Sequence, residues 1–139
     1  MHAKVFLILS ALAFISLTAC AGSDADLGSV SLASSLDDNG EPSESSETFT
    51  PGDTIYLAVE FTSGYKGLEA TVNWYHEQEL LSTETITLPR DVDSLNSLWV
   101  TEALQTEPDW PEGTYQCELF VPDQGTFPLS FQLEEAKNP

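Results

Sequence analysis

The sequence predicts an all-β fold, a two-layer antiparallel β-sandwich of seven to eight strands. Hydrophobic and polar residues alternate with a period of two through most of the chain, which is typical of strands with one buried face. These segments recur about every ten residues, are separated by turns rich in Gly, Pro, Asp and Asn, and show no sustained helical period. A length of 139 residues suits one domain, and a hydrophobic content of 41% is sufficient for a packed core.

The alternation is clearest in two segments, 54–61 and 115–121. In the first, Ile55, Leu57 and Val59 fall on one face, and in the second the hydrophobic residues likewise occupy every other position. The other predicted strands are 28–33, 68–76, 83–88, a strand within 95–104, and 126–134.

The N-terminus has the pattern of an export signal. Lys4 precedes an apolar run at 5–17, which is shorter than the roughly 18 to 20 residues needed to span a bilayer but fits the core of a signal peptide. Leu17, Ala19 and Cys20 then resemble the lipobox of bacterial lipoproteins, in which the preceding peptide is removed and the cysteine is acylated, typically with palmitate. An ordinary cysteine after an ordinary signal peptide is the alternative.

This resemblance implies that Cys20 becomes the lipidated first residue of an exported protein that is anchored to a membrane without crossing it, because two acyl chains hold a protein stably. Ala21 stands where an Asp would signal inner-membrane retention, so the resemblance favours the outer membrane in a Gram-negative host. The predicted organisation is a signal peptide at 1–19, the lipidated Cys20 with a flexible acidic tether at 20–27, a sandwich domain at 28–135 and a tail at 136–139.

The charge is strongly one-sided, with 23 acidic and 4 basic residues and a formal net charge of −19. Such a surface repels phosphate backbones, which excludes nucleic acid as a partner. The acidity favours solubility in an exposed compartment, and a second interpretation is recruitment of a basic protein or of divalent cations. Part of this acidic charge lies in residues 37–47, whose composition predicts a turn followed by an acidic, Ser-rich loop.

The pattern Gly-x-Tyr-x-Cys at 113–117 resembles the start of strand F in immunoglobulin-like sandwiches. In the same way 52–59 resembles strand B, and 72–76 resembles strand C with Trp74 as the core tryptophan. The resemblance implies that the Tyr115 hydroxyl is hydrogen-bonded to the loop before it. The turns are also similar to those of immunoglobulin-like or fibronectin-type-III-like domains of bacterial lipoproteins, many of which have no assigned function, so a fold is implied but no activity.

The chain departs from this family at its disulfide. The partner of Cys117 would fall at Val59, so the resemblance implies a sandwich without a disulfide. With Cys20 assigned to the lipid anchor, Cys117 is the only remaining thiol, and we expect it to be buried. A reactive thiol is the alternative, which requires an exposed, electropositive setting.

The sequence predicts a protein that is not an enzyme and has no cofactor. The mature chain keeps one histidine, His76, which continues the inward alternation of its strand and is interpreted as a structural residue. There is no nucleophile-elbow motif, no Gly-rich phosphate loop and no His/Cys cluster for zinc. A hydrolase or inhibitor without recognisable motifs is the least favoured hypothesis.

If Trp74 and Tyr115 point inward, the alternation places aromatic side chains on an outer face that should otherwise be polar, and exposed aromatics favour interfaces. The candidate binding face is Tyr75, Phe120, Asn73 and Glu118. Alternatively a loop covers these residues, or a slip of one residue in register inverts them.

The leading hypothesis is a lipid-anchored cell-envelope protein whose single non-catalytic domain binds an envelope protein or serves in surface display. The alternative is a calcium- or carbohydrate-binding accessory domain that uses loop acids with Trp99 or Trp110. The weak metal-ligand candidates are Asp91, Asp93, Glu107 and Asp109.

Overall fold

A computed structural model describes residues 25–136, which form two sheets packed face to face. The strands are β1 (Asp26–Leu36), β2 (Pro42–Ser45), β3 (Thr48–Phe49), β4 (Thr54–Ser63), β5 (Glu69–His76), β6 (Glu79–Thr87), β7 (Leu98–Gln105), β8 (Gly113–Val121) and β9 (Gly125–Leu133). Sheet A has the order β2-β1-β4-β7 and sheet B the order β3-β9-β8-β5-β6. Apart from the short parallel pair β3–β9, all pairings are antiparallel, so the predicted all-β sandwich is confirmed.

The core lies between the sheets and is built by the period-two segments. β4 of sheet A buries every inward residue from Ile55 to Phe61, and β8 of sheet B buries Tyr115, Cys117 and Leu119. Each large side chain removed from water in this way contributes about 1.5 to 3 kcal/mol. The two segments with the clearest alternation in the sequence are therefore the central strands of the two layers.

The features implied by the immunoglobulin resemblance are confirmed. The Tyr115 hydroxyl donates a 2.7 Å hydrogen bond to the carbonyl oxygen of Pro111 in the preceding loop. Trp74 is fully buried in sheet B, and Val59 is fully buried in sheet A. Cys117 is a free, buried cysteine, so the sandwich has no disulfide among the described residues.

The domain begins earlier than its alternation suggests. β1 starts at Asp26, two residues before the predicted strand at 28–33, and Ala25 is fully buried. The end of the segment predicted as a tether therefore belongs to the sandwich, because Asp26 pairs with Ser63 and Leu27 with Phe61. The signal peptide, Cys20 and the last residues of the tail lie outside the described residues and stay predictions.

The segment 37–47, expected to be a loop, contains the short strand β2. Its hydrogen-bonding partner is β1, with Ala33 opposite Ser45, and the register shifts twice along the pair. The chain then crosses from sheet A to sheet B, where the amide of Gln132 donates to the carbonyl of Glu47 over 2.8 Å. Within residues 25–136, no helix is long and apolar enough to cross a membrane.

Candidate functional site

The outer face of sheet B carries all the residues of the candidate binding face. Tyr75 lies opposite Gln116, Asn73 opposite Glu118, and Thr71 opposite Phe120. Trp74 and Cys117, the neighbours that point the other way, are fully buried, so the predicted register of the face holds. This side ends at the pairs Glu69–Thr87 and Thr114–Gln132. We call the residues between these pairs the sheet B face: Thr71, Asn73 and Tyr75 of β5, Leu80, Thr83 and Thr85 of β6, Gln116, Glu118 and Phe120 of β8, and Thr126, Pro128 and Ser130 of β9.

The aromatic residues of this face are separated. Gln116, the partner of Tyr75, lies four positions before Phe120 on β8, a separation of about 13 Å along the strand. Asn73 and Glu118 lie between them as direct cross-strand partners. The face therefore has two hydrophobic ends and a polar centre rather than one aromatic cluster.

A third hydrophobic residue, Leu80, lies at the Tyr75 end. The β5–β6 register shifts between Trp74 and Tyr75, which places Leu80 directly opposite Tyr75. Leu80 is 52% exposed and Phe120 is 46% exposed, whereas Tyr75 is half-buried. Alternation could not assign Leu80 to this face because it cannot reveal where an irregular strand pair shifts its register.

The polar centre is almost free of charge. On the sheet B face only Glu118 carries a carboxylate, and the remaining polar groups are hydroxyls and amides. The carboxylate nearest to it on the same side of β5 is that of Glu69, at the end of the strand beyond Thr71. The Thr83 hydroxyl donates a 2.8 Å hydrogen bond to Asn73 Oδ1, which fixes the orientation of that amide. In a chain with a net charge of −19, an almost neutral face with exposed hydrophobic side chains is a local exception.

The four candidate metal ligands do not come together. Asp91 and Asp93 belong to a loop that bridges to Gly64, at one end of β4, whereas Glu107 and Asp109 follow Thr106 at the other end. Along the ten residues of β4 this separation is about 30 Å. Among residues 25–136 no group of three or more His, Cys, Asp or Glu side chains could hold a metal ion.

Two of these carboxylates instead stabilise loop backbone: Asp91 connects its loop to the turn after β4, and Asp93 acts within its own loop. Asp91 Oδ1 accepts a 2.8 Å hydrogen bond from the amide of Lys66, and Asp93 Oδ1 accepts a 3.0 Å bond from the amide of Leu95. Local turn formation, as by Asp93, is a common role for Asp.

His76 and Trp110 belong to a stack of rings on Tyr115. The ring centroids of His76 and Tyr115 are 4.2 Å apart with an interplanar angle of 13°. Those of Trp110 and Tyr115 are 6.0 Å apart with an interplanar angle of 5°. His76 Nε2 is buried, forms no hydrogen bond with the described residues, and lies 3.9 Å from Glu77 Oε1. This arrangement contributes to the core. Burial, with a smaller contribution from repulsion by the Glu77 carboxylate, raises the pKa of Tyr115.

Cys117 has the surroundings of an inert thiol. Burial, with a smaller contribution from the Glu118 carboxylate, raises the pKa of Cys117 to about 12. Because the thiolate is the nucleophile, this residue is unreactive at neutral pH.

Sheet A has a tryptophan on its outer side, because Trp99 lies opposite Glu60 there. Its sequence neighbours Leu98 and Val100 point inward and pack against the core. Of the two tryptophans considered for the alternative hypothesis, Trp99 faces outward and is half-buried, whereas Trp110 stacks on the core.

A groove of about 760 Å³ lies at the edge of the sandwich, between β1 and β9. Val30 and Leu32 line it from one sheet, and Phe127 and Leu129 line it from the other. This groove could not be predicted from the alternation, because it lies beside the part of β9 that the short β3 leaves uncovered.

No protein-family model and no curated protein matches the chain. Among solved structures, it is similar to part of a Paenibacillus cycloisomaltooligosaccharide glucanotransferase complexed with cycloisomaltoheptaose, at 12% identity and a TM-score of 0.56, over 81% of this chain and 15% of that one. It is also similar to part of a β-glucosidase from Listeria innocua, at 11% identity and a TM-score of 0.48, over 82% of this chain and 17% of that one. At 12% identity, the similarity to the glucanotransferase shows the β-sandwich fold alone. The chain spans less than a fifth of either enzyme.

Proposed function

We propose that the protein is an exported, lipid-anchored binding module without catalytic activity, and that its sheet B face holds a protein partner of the cell envelope. Cys20 carries the acyl chains in this proposal, and the outer membrane is the expected location if the host is Gram-negative. The observation on which the binding role depends is the combination of exposed Leu80 and Phe120 with an almost uncharged polar centre.

The composition of this face suits an interface. Cores of protein interfaces are depleted in charged residues and enriched in aromatic ones, with polar groups that form hydrogen bonds across the contact. Exposed apolar side chains such as Phe120 and Leu80, at the two ends of the face, gain most when a partner removes them from water, and aromatic residues are frequent hot spots.

The partner can be identified by crosslinking the lipidated protein in intact envelopes of the source cells, and its affinity then measured with purified components. We expect Phe120→Ser and Leu80→Ser each to weaken that binding about tenfold, as the loss of an interface anchor does. Leu95→Ser is the matched control, because Leu95 is 97% exposed but lies outside the sheet B face. An equal effect of all three variants, or none, would rule out this face as the binding surface.

The anchor has a separate test. Mass spectrometry of the mature protein should find a diacylated cysteine derived from Cys20 as its first residue, and Cys20→Ala should release the protein from the membrane fraction. An unmodified first residue would remove the anchor from the proposal and leave the binding face untouched.

Carbohydrate binding is the second candidate, favoured by the hydroxyl- and amide-rich centre of the sheet B face between its two aromatic residues. The glucanotransferase with a domain of similar fold is complexed with cycloisomaltoheptaose, which makes that oligosaccharide a rational first probe. Saturable binding that Phe120→Ser abolishes would favour a saccharide over a protein partner. Calcium binding by the loop acids would instead raise the melting temperature relative to EDTA, and we expect no such shift because the carboxylate pairs lie at opposite ends of β4.

A further inference from the structure

A pocket of about 470 Å³ opens on the outer side of sheet A, between β1, β2 and Trp99. It is lined by residues of β1, of β2 with the turn before it, and of β7: Ser29, Val30, Ser31, Glu41, Pro42, Ser45 and Trp99. We call it the Trp99 pocket. It lies on the opposite layer from the sheet B face, so it is independent of the function proposed above.

The wall that carries Glu41 is held in place by hydrogen bonds. Asp37 Oδ1 accepts from the amides of Asn39 at 2.8 Å and Glu41 at 3.0 Å, and the Asp37 amide donates to the Glu41 carbonyl at 2.8 Å. The backbone of the carboxylate-bearing residue is therefore fixed before any ligand arrives, which lowers the entropy lost on binding.

This loop packs directly against the strand that carries the indole. Gly40 has φ +85°, and a Cβ added there would lie 3.4 Å from Trp99 Cβ and 3.4 Å from Thr101 Cγ2. Glycine both permits this backbone conformation and allows the close approach. The position of Glu41 relative to Trp99 is thus set by packing as well as by the turn.

The electrostatic surroundings of the pocket are acidic. Glu60 is the cross-strand partner of Trp99, and Asp38 and Glu44 flank Glu41 on the same hairpin. Residues 25–136 contain 22 acidic residues, which is the 23 of the chain less Asp24, against two basic ones, Lys66 and Arg90. Arg90 is occupied by its own loop, where its guanidinium donates to the carbonyls of Asp91, Asn96 and Ser97.

A half-buried indole on the outer side of a sheet, near acidic residues, is suited to a cation. The face of an indole attracts a guanidinium or ammonium group, and a nearby carboxylate can form a charge-assisted hydrogen bond with the same group. The serine hydroxyls supply further acceptors around it. We propose that the Trp99 pocket binds a basic side chain, arginine or lysine, of a partner protein.

The pocket can be tested on the full mature chain with a peptide of alternating Gly and Arg and with the same peptide in which citrulline replaces each Arg. Citrulline keeps the shape of the side chain and removes its charge. Binding is measured by calorimetry, and contact with the indole by the NMR signal of Trp99 Nε1–H. We expect the Arg peptide to bind and shift that signal, and the citrulline peptide to bind at least about tenfold more weakly.

Trp99→Leu should weaken binding of the Arg peptide about tenfold and Glu41→Gln about fivefold. Glu79→Gln is the matched control, since it removes one exposed charge on sheet B and should change binding less than about twofold. Glu41→Gln keeps the shape of its residue, so it tests the pocket even if Trp99→Leu unfolds the domain.

Equal losses in Glu41→Gln and Glu79→Gln would show diffuse attraction by the acidic surface and would overturn the proposal. Equal binding of the Arg and citrulline peptides, or no shift of the Trp99 signal on binding, would also overturn it. Saturable binding of a neutral oligosaccharide at the indole, with no binding of the Arg peptide, would assign the pocket to a saccharide instead.

Discussion

Replacing Tyr115 with phenylalanine tests how the loop before β8 is held. The substitution removes one hydroxyl and with it the 2.7 Å hydrogen bond to Pro111, while the ring that stacks on His76 and Phe131 remains. Pro111 is exposed, so its carbonyl regains a water partner and no buried acceptor is left unpaired. The expected loss is therefore the net value of one hydrogen bond, about 1 kcal/mol.

For a domain of roughly 110 residues, this loss corresponds to a fall of about 4 to 6 °C in the melting temperature. Urea denaturation followed by fluorescence and thermal denaturation followed by circular dichroism should agree on it. Tyr65→Phe is the matched control, because Tyr65 is 47% exposed and its hydroxyl should matter little. If Tyr115→Phe stays within about 0.3 kcal/mol of the wild type, the hydroxyl does not hold the loop and the inference fails.

Three further predictions concern the core and one edge. Cys117 should react with thiol reagents only after unfolding. Its pKa is raised from the ordinary 9.0 to about 12, so the thiol ionises more easily in the unfolded chain. The free energy of unfolding should therefore be unaffected below pH 9 and lower by about 1.4 kcal/mol at pH 10, a loss that is absent in Cys117→Ala. Burial and the Glu84 charge raise the pKa of Glu102, so Glu102→Gln should stabilise the protein at pH 7 by less than about 1 kcal/mol, with the difference vanishing below pH 4 in urea titrations. Gly113 has φ 144°, so Gly113→Ala should lower the free energy of unfolding by at least about 1 kcal/mol, and an unchanged melting curve would refute strain there.

The central strands could be predicted because their burial and their local pattern agree. In 54–61 and 115–121 every second residue is hydrophobic, so only one register buries them all. The Tyr115 hydrogen bond was implied by the resemblance of residues 113–117 to immunoglobulin strand F. These five residues include the turn glycine, the tyrosine and the start of β8. These features are encoded within single segments of the chain.

Features that depend on a neighbouring strand could not be predicted. β2 has almost no hydrophobic alternation and exists as a strand because β1 pairs with it. Leu80 reaches the sheet B face through a register shift between β5 and β6. The distance between Tyr75 and Phe120 likewise depends on which residues of β5 and β8 are paired.

The loop acids illustrate the same limit at longer range. Asp91 and Asp93 are separated from Glu107 and Asp109 by little more than one strand in the sequence. That strand, β7, runs the length of the sandwich, so the two pairs lie at its opposite ends. Two loops at opposite ends of one long strand cannot share a metal ion. To exclude such a site, one has to know where the strand begins and ends, and the composition of the loops does not give this.

The edges of both sheets explain why a partner is expected on a face. A free edge strand offers unpaired amides and carbonyls to any extended chain, and proteins counter this with short strands, proline and inward-pointing charges. β3 has two residues, and the part of β9 that it leaves uncovered contains Pro128, which has no amide hydrogen to donate.

At the opposite side, the edge strands β6 and β7 each direct a carboxylate inward. Glu84 lies opposite Val72 and Glu102 opposite Leu57, both of which are fully buried core residues. An added strand would have to bury one of these charges against the other. Burial and, to a smaller extent, repulsion from Glu84 already raise the pKa of Glu102. Strand addition is therefore disfavoured at β6 and β7, the edge strands that are long enough to support it.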